Sequence, residues 1–278
     1  MTPEGFAPPA LGASEFAQIR ELAYKKFGLD LKEGKQSLIV TRLSKELRRL
    51  GLTSFEQYCQ YVSADRSGEA LIEMADALTT NFTSFLREQA HFQFLRAELK
   101  TQLPRTGPVN IWSCASSTGE EPYSILFTLL ETLGPGADVR VLGTDISTRA
   151  LKAATAAVYE AERLAGLPSG WLQRYFLKGN GRWQGSYRVR PEYRERVRFQ
   201  RFNLVTEQPG NLRFPAIFCR NVAIYFDKPT QAAVARKLAS ALEPGGYLFI
   251  GHSESLSGMD HGLAYVQPAL YRKSVKEQ

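Results

Sequence analysis

A chain of 278 residues, 44% hydrophobic and 23% charged, has the composition of a globular protein with material for one large core or two modest ones. No run of eighteen apolar residues and no basic-then-apolar leader occurs, which argues against a helical membrane span or a secretory signal and leads us to expect a cytoplasmic protein. The net charge of +7 is concentrated in two stretches. Lys32 to Arg49 carries six basic residues against two acidic ones, and Arg174 to Arg198 carries eight against two, so the remainder is mildly acidic. Two local patches on such a body suggest docking surfaces for acidic partners rather than a nucleic-acid footprint. Cys59, Cys114 and Cys219 form no C-x-x-C pair, and His91, His252 and His261 show no metal-ligand spacing, so reduced thiols and no metal are expected.

In chain order, Ser14 to Ala77 shows helical spacing with almost no strand signal. Ile39, Leu43, Leu47 and Leu50 fall on one helix face that Gly51 terminates, and Lys35, Arg42, Lys45 and Arg49 cluster on a neighbouring face. That basic face is either a docking surface or an ordinary solvated one. From Val109 the pattern alternates between strand and helix, the signature of a parallel sheet covered on both sides. Strands are predicted at 109–113, 139–144, 197–202, 215–219 and 246–251, with a closing segment near 270–273. Too little chain separates the last two for a crossover helix, so the sheet should close with an antiparallel strand. The glycine-rich stretch 177–190 interrupts the alternation and predicts a small inserted antiparallel lobe, with Arg188 and Arg190 on one face of its strand.

The segment Trp112–Ser124, WSCASSTGEEPYS, reads as strand, tight loop and helix, the layout of a dinucleotide site. Glu120 and Glu121 occupy the helix start where a pyrophosphate would sit. They suit the helix dipole but repel phosphate, so the ligand there should be neutral or cationic. S-adenosylmethionine fits, with an adenosine, a sulfonium and an ammonium. A plainer reading is two overlapping capping boxes, Ser117-x-x-Glu120 and Thr118-x-x-Glu121. Asp145 ends the next strand, where an acidic residue accepts hydrogen bonds from ribose hydroxyls or else caps the following helix.

Six motifs in order, TTNFTSFLRE (79–88), WSCASSTGEEPYSI (112–125), the Asp-Ile at 145–146, FNL (202–204), FCRNVAIYFD (218–227) and GHSES (251–255), resemble the chemotaxis-receptor glutamate methyltransferases, CheR. The resemblance runs from about Phe16 to Arg272. It implies an all-helical N-terminal domain over 1–85 and an α/β methyltransferase domain of Rossmann-like type over 86–278, with a β-subdomain inserted at about 174–198. It implies S-adenosylmethionine as methyl donor and the glutamates of the cytoplasmic signalling domain of transmembrane chemoreceptors as acceptors. By motif position Asn81, Thr83, Arg87, Glu121, Asp145, Asn203, Leu204, Arg220 and Asn221 match the cofactor-binding pattern. Arg87 and Tyr225 would orient the substrate carboxylate. Glu121 would take the cofactor amine and leave Glu120 to cap the helix. The basic face of Lys35, Arg42, Lys45 and Arg49 would meet the receptor, and Lys178, Gly179, Gly181 and Arg188 would hold a receptor's C-terminal pentapeptide on the subdomain edge. Leu86, Ala223 and Lys178 depart from the family pattern, the first two as packing changes and the last where Arg is common. A monomer is expected, since no coiled-coil heptads are present.

Three rivals remain at this level. A nucleic-acid methyltransferase would want a Pro-Cys or an aromatic, proline-containing loop where Phe218-Cys219-Arg220-Asn221 stands. A non-catalytic module that binds S-adenosylmethionine or receptors would share the motifs without turnover. A nicotinamide enzyme would have to accommodate Glu120 and Glu121 beside a pyrophosphate.

Overall fold

A computed structural model describes residues 9–79, 82–102 and 107–275. The chain divides into two compact units, Met1–Thr80 with Tyr225–Asp227, and Asn81–Ile224 with Lys228–Gln278.

The first unit is helical: α1 (Ala13–Phe27), α2 (Gln36–Leu50), α3 (Phe55–Ala64) and α4 (Glu69–Leu78). Each boundary has a local cause. Gly28 and Gly51 close α1 and α2 in the left-handed conformation that glycine adopts without a Cβ penalty, and the Ser54 hydroxyl caps α3 by accepting the Gln57 N–H. The face expected for α2 is the buried one: Ile39, Leu43 and Leu47 are fully buried, and they pack in a core with Ile19, Ala23, Phe55, Tyr58 and Met74. Burial of each such aliphatic side chain is worth about 1.5–3 kcal/mol. The distant segment Tyr225–Asp227 belongs to this unit. Asp30 N–H donates to the Tyr225 carbonyl at 2.8 Å, Leu29 bridges Phe226, and the Tyr24 hydroxyl donates to Asp227 at 2.8 Å.

The second unit begins with α5 (Gln89–Gln102) and continues as β1 (Val109–Cys114), α6 (Glu120–Leu133), β2 (Val139–Asp145) and α7 (Thr148–Ala156). A small lobe follows, made of β3 (Val158–Glu160), α8 (Trp171–Tyr175), β4 (Phe176–Lys178) and β5 (Ser186–Val189). The main sheet resumes through α9 (Pro191–Arg194), β6 (Val197–Arg201), β7 (Phe214–Cys219), α10 (Lys228–Ala241), β8 (Leu242–Ile250), β9 (Leu263–Gln267) and β10 (Leu270–Lys273).

The strand order is β6-β2-β1-β7-β8-β10-β9, parallel through β8 and antiparallel at β10 and β9. This is the expected parallel sheet with an antiparallel close, with one difference. The stretch read as a single closing segment is a hairpin, and β9 forms the sheet edge with Tyr265 and Val266 exposed. The two-residue connection at Pro268-Ala269 is too short to break an apolar pattern legibly. The small sheet, ordered β3-β5-β4, draws its third strand from Val158–Glu160, ahead of the glycine-rich stretch, because three residues carry no readable period. Arg190 lies beyond the end of β5 as the N-cap of α9, so it does not share a strand face with Arg188.

Candidate functional site

In an open parallel sheet, ligands bind outside the carboxyl ends of the strands. Here the segments at those ends are strained. Among the described non-glycine residues with positive φ, Ala115 (56°) and Ser117 (48°) follow β1, Asn221 (57°) follows β7, and Leu86 (52°) and Glu88 (60°) precede α5. Such conformations cost about 1–3 kcal/mol each, persist only where surroundings over-determine them, and cluster at ligand clamps.

The over-determination comes from one buried guanidinium. Arg220, whose side chain is 1% exposed, donates to Glu121 Oε2 at 2.8 Å, lies 3.0 Å from Glu88 Oε2, and donates to the Arg87 carbonyl. The Arg220 Nε has no hydrogen-bond partner among the described residues, an orphaned donor. Glu88 also accepts the Asn221 side-chain N–H and the His252 backbone N–H, both at 3.2 Å. Glu254 accepts the backbone N–H groups of Gly251, Asn221 and Ile224, which clamps the turn after β7 to the end of β8. Gly251 is required there, since a Cβ would come within 2.5 Å of Asn221 Nδ2. Burial pushes the Glu88 carboxyl up, but the Arg220 charge and the hydrogen bonds from Arg220 and Asn221 outweigh it and hold Glu88 below the ordinary range.

The two adjacent glutamates behave differently. Glu121 accepts from the Ser113 hydroxyl at 2.7 Å and from Arg220, so its carboxylate sits between β1 and β7. Burial still raises its carboxyl above the ordinary value, against the pull of Arg220. Glu120 points elsewhere, fully buried against the Thr118 hydroxyl and Arg163. The expectation that Glu120 caps the helix from a capping box is corrected: the N-cap of α6 is Gly119, which has no side chain to complete one. Left-handed Ser117 instead turns its N–H to Asp145 at 2.8 Å, so neither capping box forms.

Asp145 also takes the Ser147 N–H at 2.9 Å, and Ser147 is the N-cap of α7. Asp145 thus accepts backbone N–H groups on both oxygens, and a carboxylate's roughly four lone-pair sites leave capacity for a diol. Burial raises its carboxyl too, against those N–H groups. Asn203 is buried, and its Oδ1 accepts the Val205 N–H and the Thr206 N–H. Leu204 is buried, and its carbonyl holds the Lys237 ammonium.

The remaining predicted residues divide. Arg87 is partly exposed, donates to the Phe82 carbonyl at 2.9 Å and lies 5.9 Å from that ring; Thr83 is partly buried one residue on. Asn81 lies outside the described residues. Tyr225 belongs by contacts to the helical unit, as above. In that unit Lys35 and Lys45 are exposed, whereas Arg42 donates to the Leu78 carbonyl and Arg49 pairs with Glu46 and Glu73. Half of the basic face is thus already engaged within the unit. On the small lobe, Lys178 and Arg188 are exposed; Lys178 ends the edge strand β4, whereas Arg188, on the central β5, donates to the Ala156 carbonyl at 3.1 Å. Gly179 admits no side chain, because a Cβ would lie 2.2 Å from the Trp183 carbonyl, and Gly181 has φ +59°. Sequence reading missed Glu88, Ser113 and Glu254 as site residues. Of these, the glutamate of GHSES carried a usable signal, a carboxylate in a turn rich in backbone donors.

Comparison with known proteins agrees with this geometry. The profile of the CheR methyltransferase all-alpha domain matches residues 14–79, and that of the CheR methyltransferase SAM binding domain matches 81–270. Chemotaxis protein methyltransferase 2 of Pseudomonas aeruginosa is 42% identical over 92% of this chain and 92% of its own. The chemotaxis protein methyltransferase of Escherichia coli is 41% identical over 90% of this chain and 87% of its own, and that of Borreliella burgdorferi 35% identical over 94% of each.

The residues present fit S-adenosylmethionine. Glu121, beside the end of β1, and Asp145, at the end of β2, bring negative charge there, and the guanidiniums at the start of α6, Arg163 and Arg220, are already paired with Glu120 and Glu121. Both units match in order along nearly the whole chain, and the carboxylate-lined sheet edge suits a cationic methyl donor, so the chain belongs to the CheR family of S-adenosylmethionine-dependent chemotaxis methyltransferases.

Proposed function

We propose that the protein methylates glutamate side chains on the cytoplasmic signalling domain of chemoreceptors. The observation that carries this reading is the Glu121–Arg220–Glu88 array: it is charge-matched to a cationic cofactor on one side, and Arg220 ties it to the Arg87 backbone on the other. S-adenosylmethionine supplies an electrophilic methyl on a sulfonium. Glu121 holds its amine, Asp145 its ribose diol, and the Asn203 amide with Leu204 its adenine, while Asn81, Thr83, Arg220 and Asn221 complete the seat. A carboxylate is already a sufficient nucleophile toward a sulfonium, so the chain needs to supply alignment rather than a base. Arg87 offers a planar fork matched to a carboxylate, and Tyr225 a hydroxyl, and together they orient the acceptor. One acceptor oxygen gains the methyl, and its negative charge and the sulfonium's positive charge cancel, so no proton moves.

Lys35 and Lys45, flanked by Arg42 and Arg49, give the helical unit a basic face for an acidic receptor surface, raising the on-rate in a salt-dependent way. The unpaired edge of β4 and the tight Gly179–Gly181 turn suit strand addition by a receptor's C-terminal pentapeptide, with Lys178 and Arg188 taking its acidic groups. The protein acts in the cytoplasm as a monomer; no described helix is long and apolar enough to cross a membrane. The test is labelled methyl transfer to receptor cytoplasmic fragments with and without their last residues. Label on both, with a lower KM for the intact end, is expected. No label on either refutes the reading, and equal KM refutes the tether.

A further inference from the structure

We propose that Glu88, His91 and His252 form a binding site for a divalent transition ion, zinc in the first instance, and that its occupancy opposes cofactor binding. Glu88 and His91 stand three residues apart, but His252 comes from a distant segment, which is why histidine spacing gave no sign of it. The fold places one ligand atom from each within 4.8 Å of the others. His91 Nδ1 lies 3.6 Å and His252 Nε2 3.9 Å from the same oxygen, Glu88 Oε2, and the imidazoles meet edge to face with centroids 4.8 Å apart.

Two imidazoles and one carboxylate, with a position left for water, are a donor set of the zinc type. Zinc ligands about 2.0–2.1 Å from the ion stand roughly 3.3 Å apart in tetrahedral geometry. The contraction needed falls on His252, whose side chain is half exposed.

The second observation is the state of His91. Its side chain is 1% exposed, neither ring nitrogen has a hydrogen-bond partner among the described residues, and it packs against Phe249 at 5.5 Å. A buried imidazole with both nitrogens unsatisfied forfeits hydrogen-bond energy that core packing does not return, which calls for an explanation such as an ion.

The antagonism follows from a shared oxygen. Glu88 Oε2 is 3.0 Å from Arg220, and an ion that takes this oxygen draws it away from the guanidinium. Arg220 keeps Glu121 and the Arg87 carbonyl as partners, so the network rearranges without stranding a buried charge. A second positive centre then stands beside the cationic end of the cofactor seat. This part rests on the seat proposed above; metal binding itself does not.

The experiment titrates the metal-free full chain with Co2+ as optical probe and Zn2+ as competitor, then measures S-adenosylhomocysteine binding by calorimetry with and without saturating Zn2+. Expected are tetrahedral ligand-field bands that Zn2+ abolishes, a Zn2+ affinity at least tenfold weaker in His252→Ala, and a several-fold loss of S-adenosylhomocysteine affinity with Zn2+, mirrored by the same loss of Zn2+ affinity with ligand. An aquo-type Co2+ spectrum, a thiolate charge-transfer band, or unchanged affinity in His252→Ala overturns the site. Failure of S-adenosylhomocysteine to bind the metal-free chain overturns the cofactor seat instead. Binding of both without mutual effect overturns the antagonism.

Discussion

Replacing Glu121 with Gln isolates the charge at the centre of the cofactor seat. The substitution keeps the shape, but an amide must aim its NH2 at either the Ser113 hydroxyl, 2.7 Å away, or Arg220, 2.8 Å away, and only the hydroxyl can turn round to accept. The amide oxygen therefore stays on Arg220, and the group offered to the cofactor amine changes from anion to neutral. A charge-assisted hydrogen bond is worth about 1.5–3 kcal/mol, equivalent to a loss of roughly 10- to 150-fold in affinity. Calorimetry with S-adenosylhomocysteine and with S-adenosylmethionine, which adds the sulfonium, reads it directly. Equal losses assign Glu121 to the amine, which both share, and a larger loss for the sulfonium compound assigns it to the sulfonium. A Kd within twofold of wild type for every ligand, in a variant with an unchanged melting profile, would refute the charge argument from which the cofactor was inferred.

Other consequences are equally concrete. Arg220→Met strands Glu88 and Glu121, and breaking a buried ion pair costs about 3–5 kcal/mol. At about 2–4 °C per kcal/mol for a unit of this size, thermal unfolding should come roughly 6–20 °C earlier. Glu254→Gln leaves at least one of three backbone donors facing an NH2, a cost of about 1–3 kcal/mol, and should weaken S-adenosylhomocysteine binding by loosening Asn221; wild-type affinity would remove Glu254 from the site. The pH dependence has a definite sign. Glu121 and Asp145 have folded pKa values above their ordinary 4.5 and 3.8, so their contribution to stability is full below those values and lost as pH rises through the raised ones. Burial makes their ionised forms costly, and a cationic ligand offsets that cost. Cofactor affinity should therefore fall on acidification already above the ordinary carboxylate range, with proton release on binding there, seen as buffer-dependent heats. Buffer-independent heats and a flat affinity down to pH 4.5 would contradict this.

The parts of the fold legible in sequence were those with long periods. The α2 stripe at Ile39, Leu43 and Leu47 and the run of parallel strands follow from hydrophobic spacing alone. The short pieces escaped, namely β3 with three residues and the split of the closing hairpin into β9 and β10, because nothing periodic fits in so few positions. Glu121 and Asp145 were legible because their charge conflicts with the loop they occupy. Glu88, Glu254 and the His91–His252 contact were not, since each depends on a turn or pairing between segments more than thirty residues apart or on left-handed backbone at a non-glycine residue, neither of which a residue type announces. Glu120 shows the limit of motif reasoning: the capping-box spacing is present, yet Gly119 and the strained Ser117 take the chain elsewhere.

The most direct test of the central claim is to localise the transferred methyl. After incubation of the protein with S-adenosylmethionine and a receptor cytoplasmic fragment, peptide mass spectrometry should place one added methylene on glutamate side chains, released as methanol by mild base. Modification of lysine, arginine or a backbone amide, stable to base, or no modification while S-adenosylhomocysteine still binds, would contradict a glutamate methyltransferase.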